Sequence, residues 1–98
     1  MKLKFHCITK VEINGKKWEI GYGHPGTTKG KTDDGICRYD ECRIIINRRA
    51  SCSLLDVLAH EIIHARVPDL SEESVGSTAT LIAQAYDEFS KQPSRDGK

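Results

Sequence analysis

The sequence predicts an α+β fold, with N-terminal β-hairpins forming a small antiparallel or mixed sheet packed on two C-terminal helices. Three observations carry this. Apolar residues alternate with polar ones, or sit in β-branched runs, as far as Asn47; from Ser53 they recur at helical spacing; and Pro68 cuts the helical stretch in two. A chain of 98 residues has room for one domain and not two. That domain is expected to span 1–91, mostly β over 1–52 and helical over 53–91. The polar, breaker-rich segment 92–98 is expected to be a disordered tail.

The first strand is expected over 3–13, with Leu3, Phe5, Cys7, Val11 and Ile13 toward one side. Asn14-Gly15 is a strong hairpin signal, since both central residues of a type I′ turn need positive φ. Lys16-Lys17-Trp18-Glu19-Ile20 returns, with Trp18 and Ile20 on the inner face. Gly21, Gly23, Pro25, Gly26, Gly30 and Gly35 then punctuate a polar stretch, so 21–35 reads as a glycine-rich loop. A second hairpin is expected over 36–47: Ile36–Tyr39, a turn at Asp40-Glu41, and Cys42–Asn47. The run Ile44-Ile45-Ile46 favours strand over helix.

Ser53-Leu54-Leu55-Asp56 has the capping-box form, with the Ser53 hydroxyl placed to accept from the Asp56 amide. Cys52 and Val57 are spaced for a hydrophobic staple across that cap. The helix should run to about Arg66, with Leu54, Leu55, Leu58, Ile62 and Ala65 as its buried stripe. Pro68 ends it, because proline disfavours helical conformation in the residue before it. After a turn at Val67-Pro68-Asp69-Leu70, a second helix is expected from the N-cap Ser71 to about Lys91. Its packed face is Val75, Ala79, Ile82 and Tyr86, with Phe89.

Composition narrows the function classes. Fifteen basic residues against 14 acidic leave the chain nearly neutral, which argues against a broad nucleic-acid or membrane footprint. Lys29, Lys31, Arg48 and Arg49 gather locally without interleaved aromatics and read as solvated loop or edge. Residues Met1–Ile8 alternate in polarity and build no signal-peptide core, and no stretch is long enough to span a bilayer; a cytoplasmic location is expected. In that compartment Cys7, Cys37, Cys42 and Cys52 are expected as reduced thiols, with Cys37 and Cys42 the pair placed for a cross-hairpin contact.

One stretch carries chemistry. His60-Glu61-Ile62-Ile63-His64 falls inside the first predicted helix, where residues four apart lie on one face. Two imidazole nitrogens can therefore aim at one ion, which suits tetrahedral Zn²⁺. Glu61 sits about 100° round the helix from His60, beside the metal and placed to act as a general base on water. The pattern arises by chance in roughly 1% of chains of this composition, and its position inside a well-capped helix lowers that figure further. A catalytic zinc site usually takes three protein ligands. Extending the packed face of the second helix backwards lands on Glu72, with Glu73 the alternative and Asp69 and His24 as further candidates.

His60-Glu61-Ile62-Ile63-His64-Ala65, followed by Pro68-Asp69-Leu70-Ser71-Glu72-Glu73-Ser74-Val75, resembles small HExxH proteins of phage and prophage genomes. These are minimal relatives of the gluzincin and SprT-like zinc metallopeptidases, and the similarity covers about residues 36–90. It implies zinc held by His60, His64 and Glu72 (or Glu73), with Glu61 as base in the hydrolysis of a protein or peptide substrate. It also implies that the strand nearest the metal, here Cys42–Asn47, lines the cleft and pairs with extended substrate. The chain lacks the downstream third His of SprT-like proteins, which argues against a purely SprT-type site. An oxyanion-stabilising group is expected among Tyr39, Tyr86, His24 and Arg66. A phage-encoded protein of this kind would act in the host cytoplasm. The competing class is a non-catalytic, zinc-stabilised binding or adaptor module, since metal binding alone can hold a small domain together.

Overall fold

Asn14 and Gly15 take φ of 53° and 82°, the two positive values a type I′ turn needs. They join β1 (His6–Ile13) to β2 (Lys16–Tyr22). The structure, a computed structural model, describes residues 4–91; the expected start of β1 at Leu3 and the tail 92–98 lie outside those residues. Val11 pairs with Trp18 and Ile13 with Lys16, and a shift of register between Cys7 and Thr9 breaks the alternation expected along β1. Of the five residues assigned to its inner side, Ile13 is buried and Val11 is 36% exposed. Trp18 and Ile20 are buried as expected.

The glycine-rich stretch is not all loop. β2 continues through Gly21 to Tyr22, and two short strands, β3 (Thr27–Thr28) and β4 (Lys31–Thr32), form a separate ribbon. β5 (Gly35–Arg38) begins at the last glycine. Glycine is needed at position 21 because a Cβ there would fall on the His6 carbonyl of the adjacent strand. A sequence period cannot register such cross-strand crowding, and the density of glycine mimics a loop.

β6 (Arg43–Ile46) pairs antiparallel with β5 and parallel with β2, giving a mixed four-stranded sheet in the order β1-β2-β6-β5. Ile44, Ile45 and Ile46 are all buried, as suits an interior strand covered on both faces. The strand expected beside the site is therefore internal, and β5 forms the edge on that side of the sheet.

α1 (Leu54–Arg66) starts at Ser53, whose side chain accepts from the Asp56 amide as expected. The Cys52 thiol donates to Asp34 at 3.4 Å. α1 packs on β5 and β6 with one side and on α2 (Glu72–Ser90) with another. Its buried residues are Val57, Ala59, Glu61 and Ala65, with Leu58 and Ile62 half-buried against the sheet core. The predicted stripe is thus rotated, and Leu54 is 53% exposed. The C-terminal carbonyls of α1 are met from far away in sequence: Asn14 Nδ2 donates to Ala65 and Arg66 at 3.3 and 3.0 Å.

In α2, Val75 and Ala79 are fully buried, but Ile82, Tyr86 and Phe89 are 42%, 63% and 63% exposed. The packed face predicted for this helix holds for its first two turns only, because α1 is its main cover and is the shorter helix. Among the described residues, no helix is long and apolar enough to cross a membrane.

Candidate metal centre

His60 and His64 lie one turn apart on α1, with ring centroids 4.8 Å apart and planes at 65°. The chain then turns over Val67–Leu70, where the Leu70 amide donates to the Val67 carbonyl at 3.0 Å. Ser71 caps α2 by accepting from the Ser74 amide, so Glu72 is the first helical residue and faces back onto α1. Its Oε2 lies 3.0 Å from His60 Nε2 and its Oε1 2.9 Å from His64 Nε2.

These three side chains form a donor set able to hold a metal, with one ligand atom from each inside 4.8 Å of the others. Bonds of about 2.0–2.1 Å in a tetrahedron space the donors roughly 3.3 Å apart. The two nitrogen–oxygen separations, one to each Glu72 oxygen, are within a few tenths of an ångström of that, and two imidazoles with one carboxylate suit Zn²⁺. Among the described residues no fourth Cys, His, Asp or Glu joins the group. Glu73, Asp69 and His24 are outside it and do not line the adjoining cleft.

Glu61 is the one buried charged residue among those described, at 6% exposure. β5 makes that burial possible. A Cβ at Gly35 would come within 2.9 Å of Val57 Cγ1 and 3.3 Å of Glu61 Oε2, so glycine lets the edge strand close over the carboxylate. Asp34 anchors this approach. It accepts from the Ser51 amide and hydroxyl, both at 3.0 Å, tying the start of β5 to the segment just before α1. The Ser51 amide holds the Asp34 carboxyl below its ordinary range.

Burial pushes the Glu61 carboxyl up to about 7; His60 works against the shift, and the charges of Glu72 and Asp33 add to it. An acid poised near neutrality can both take and return a proton. Glu61, His60, His64 and Glu72 line one cleft of about 500 Å³, together with Gly35–Cys37 of β5. Every other charged group on its wall is acidic: Asp33, Asp34 and Asp56. The field in the cleft therefore favours a cation.

Of the groups considered for oxyanion stabilisation, Tyr39 alone lines the cleft. Its hydroxyl donates to the His64 carbonyl at 2.7 Å, and its ring meets Trp18 edge-on at 6.0 Å. Arg66 is engaged with Asn14 Oδ1 at 2.6 Å, and Tyr86 stands on the exposed half of α2. The four cysteines are free thiols. Cys37 also lines the cleft, and burial pushes its thiol up to about 11, which keeps it protonated at neutral pH.

Sequence reading did not single out Gly35 or Asp34 as parts of the site. The Asp-Asp-Gly triplet ahead of a β-branched strand was their only local signal. No protein-family model, no curated protein and no solved structure matches this chain.

Proposed function

We propose that this chain is a minimal zincin-like zinc metallopeptidase, with His60, His64 and Glu72 as metal ligands and Glu61 as general base. The observation that carries the reading is the meeting of the three donors within 4.8 Å, on the wall of a cleft that also holds the buried Glu61 carboxylate. A zinc ion held by His60, His64 and Glu72 would supply a Lewis acid and make water a stronger acid at neutral pH. Glu61 takes the proton from the attacking water and passes it to the leaving amine. Gly35 and Val57 keep bulk water from the Glu61 side chain, which holds its carboxyl near the working pH. β5 is the edge strand along the cleft, so an extended peptide can add to it through backbone hydrogen bonds. Tyr39 is the candidate for stabilising the oxyanion, its hydroxyl turning from the His64 carbonyl to substrate.

The test combines metal analysis with a screen of the zinc-loaded protein against a proteome-derived peptide library. One zinc per chain and discrete cleavage products are expected. Glu61→Gln should keep the zinc and lose hydrolysis by about 10³-fold, within the usual reach of acid–base catalysis. Zinc binding with no cleavage by the unaltered chain would leave the binding-module reading in its place.

A further inference from the structure

Asp56, His60 and His64 follow one another along α1 at intervals of four and so share one face of the helix. All three line the cleft. β5 runs beside that face in the same direction: Asp34 is tied to Ser51, Gly35 lies against Val57 and Glu61, and Tyr39 reaches the His64 carbonyl. The cleft therefore has two ends. His60, His64, Glu72 and Tyr39 form one, and Asp33, Asp34 and Asp56 form the other.

The charges at the second end lack a counterion. Among the described residues no Lys or Arg lines the cleft. Asp33 accepts from Thr28 Oγ1 at 3.1 Å and Asp34 from the Ser51 hydroxyl at 3.0 Å, both uncharged donors. The half-buried Asp56 carboxylate takes no hydrogen bond or ion pair among the described residues. Between the two ends Glu61 opens into the same cleft, 6% exposed and likewise without a hydrogen bond or ion pair among the described residues. A helix start favours an acid at Asp56, but it does not account for Asp33 and Asp34 on the opposite wall. Anions drawn out of water without a partner are held at a cost, which a cationic occupant offsets.

We propose that this acidic end is a subsite for an ammonium or guanidinium group of the substrate, with Asp56 as the residue that selects it. The position of the scissile bond is taken from the zinc-peptidase reading, and the proposal rests on that reading to this extent. Four residues of helix rise about 6 Å and extended peptide rises about 3.3 Å per residue. The cationic group therefore belongs within about two residues of the bond cleaved. It is a Lys or Arg side chain, or the free α-amino group of a peptide cut near its start. The substrate class is a basic peptide.

The probes are acetylated, amidated alanine hexapeptides carrying one Lys, or one norleucine as its uncharged counterpart, at each position in turn. Binding to the zinc-loaded Glu61→Gln chain is followed by NMR titration, and cleavage by the unaltered chain by mass spectrometry. The best-placed Lys peptide should bind, and be cleaved, at least about 10-fold better than its norleucine twin. Adding Asp56→Asn to either protein should cut that advantage to about twofold with zinc content unchanged, while Glu88→Gln on α2, outside the cleft, leaves it intact. A second set with free amino termini separates the two sources, since an advantage that appears only without the acetyl group assigns the ammonium to the α-amino group. Lys-selective, Asp56-dependent binding without any cleavage would keep the subsite and remove the peptidase reading. Cleavage with no preference for Lys or a free amino terminus would keep the peptidase and overturn the subsite. An advantage that survives Asp56→Asn, or no measurable binding of any peptide, would overturn it as well.

Discussion

The two halves of α2 share one amphipathic pattern and meet opposite fates. Its first two turns lie on α1: Val75 and Ala79 are wholly buried, and Glu72 reaches both histidines. Further along the same line, Ile82 is 42% and Tyr86 63% exposed. Length explains the split. α1 has 13 residues and α2 has 19. Running antiparallel from Gly76, which lies near His60 Cε1, α2 uses up the six residues of α1 before His60 by about position 82, both helices rising about 1.5 Å per residue. Apolar spacing thus records that a face is to be covered, and leaves open which element covers it.

The comparison breaks first at the metal. Glu72→Ala should weaken zinc binding by at least about 100-fold, while Glu73→Ala, one position round the helix, leaves it unchanged. Zinc retained after dialysis against a weak chelator reads this out, and equal losses from both variants would dissolve the distinction between the two acids.

The next effect is electrostatic, and it is measured without metal. Glu61 has a folded pKa of about 7 against an ordinary 4.5. Between those values the unfolded chain releases a proton that the folded chain keeps. Stability therefore falls as pH rises through that window and stays low above it. Glu61→Gln removes the loss: urea unfolding in chelator should find the variant more stable at pH 8, by on the order of 2 kcal/mol, and equal at pH 4. A gain of the same size at both pH values would point to packing in place of charge.

The smaller effects contrast the two halves of α2 directly. Ala79→Leu forces extra methylenes into a closed helix contact and should cost about 1–3 kcal/mol. At low protein concentration, Tyr86→Ala on the overhang should stay within about 0.5 kcal/mol. Thermal melts of the two variants at a few micromolar read both, and a comparable loss at Tyr86 would show that the overhang is covered within the single chain.

Much of the fold was legible because its signals are local. The turn at Asn14-Gly15, the cap at Ser53, the stop before Pro68 and the cap at Ser71 each depend on a few adjacent residues. The glycine stretch misled for the opposite reason. Gly21 and Gly35 are glycines because a neighbouring strand and a helix press on them, and neither neighbour is nearby in sequence. The buried side of α1 was displaced likewise: Leu54 looks as apolar as Ala65 but is 53% exposed, and Glu61 takes an inward position instead. Tyr39 appeared only as one phenol among several until its turn placed it against Trp18 and the His64 carbonyl.

By itself, the amino-acid order determined that two imidazoles share a helix face, that a carboxylate stands next to them, and that a second helix with an acidic start follows a short turn. Those relations are set by the helical repeat and by backbone sterics, which act over a handful of residues. Tertiary structure alone decided that Glu72 and not Glu73 meets the rings, that Glu61 is shut away from water, and that β5 borders the cleft. Each of those outcomes depends on how far one element can approach another before atoms collide, a quantity that no stretch of neighbouring residues encodes.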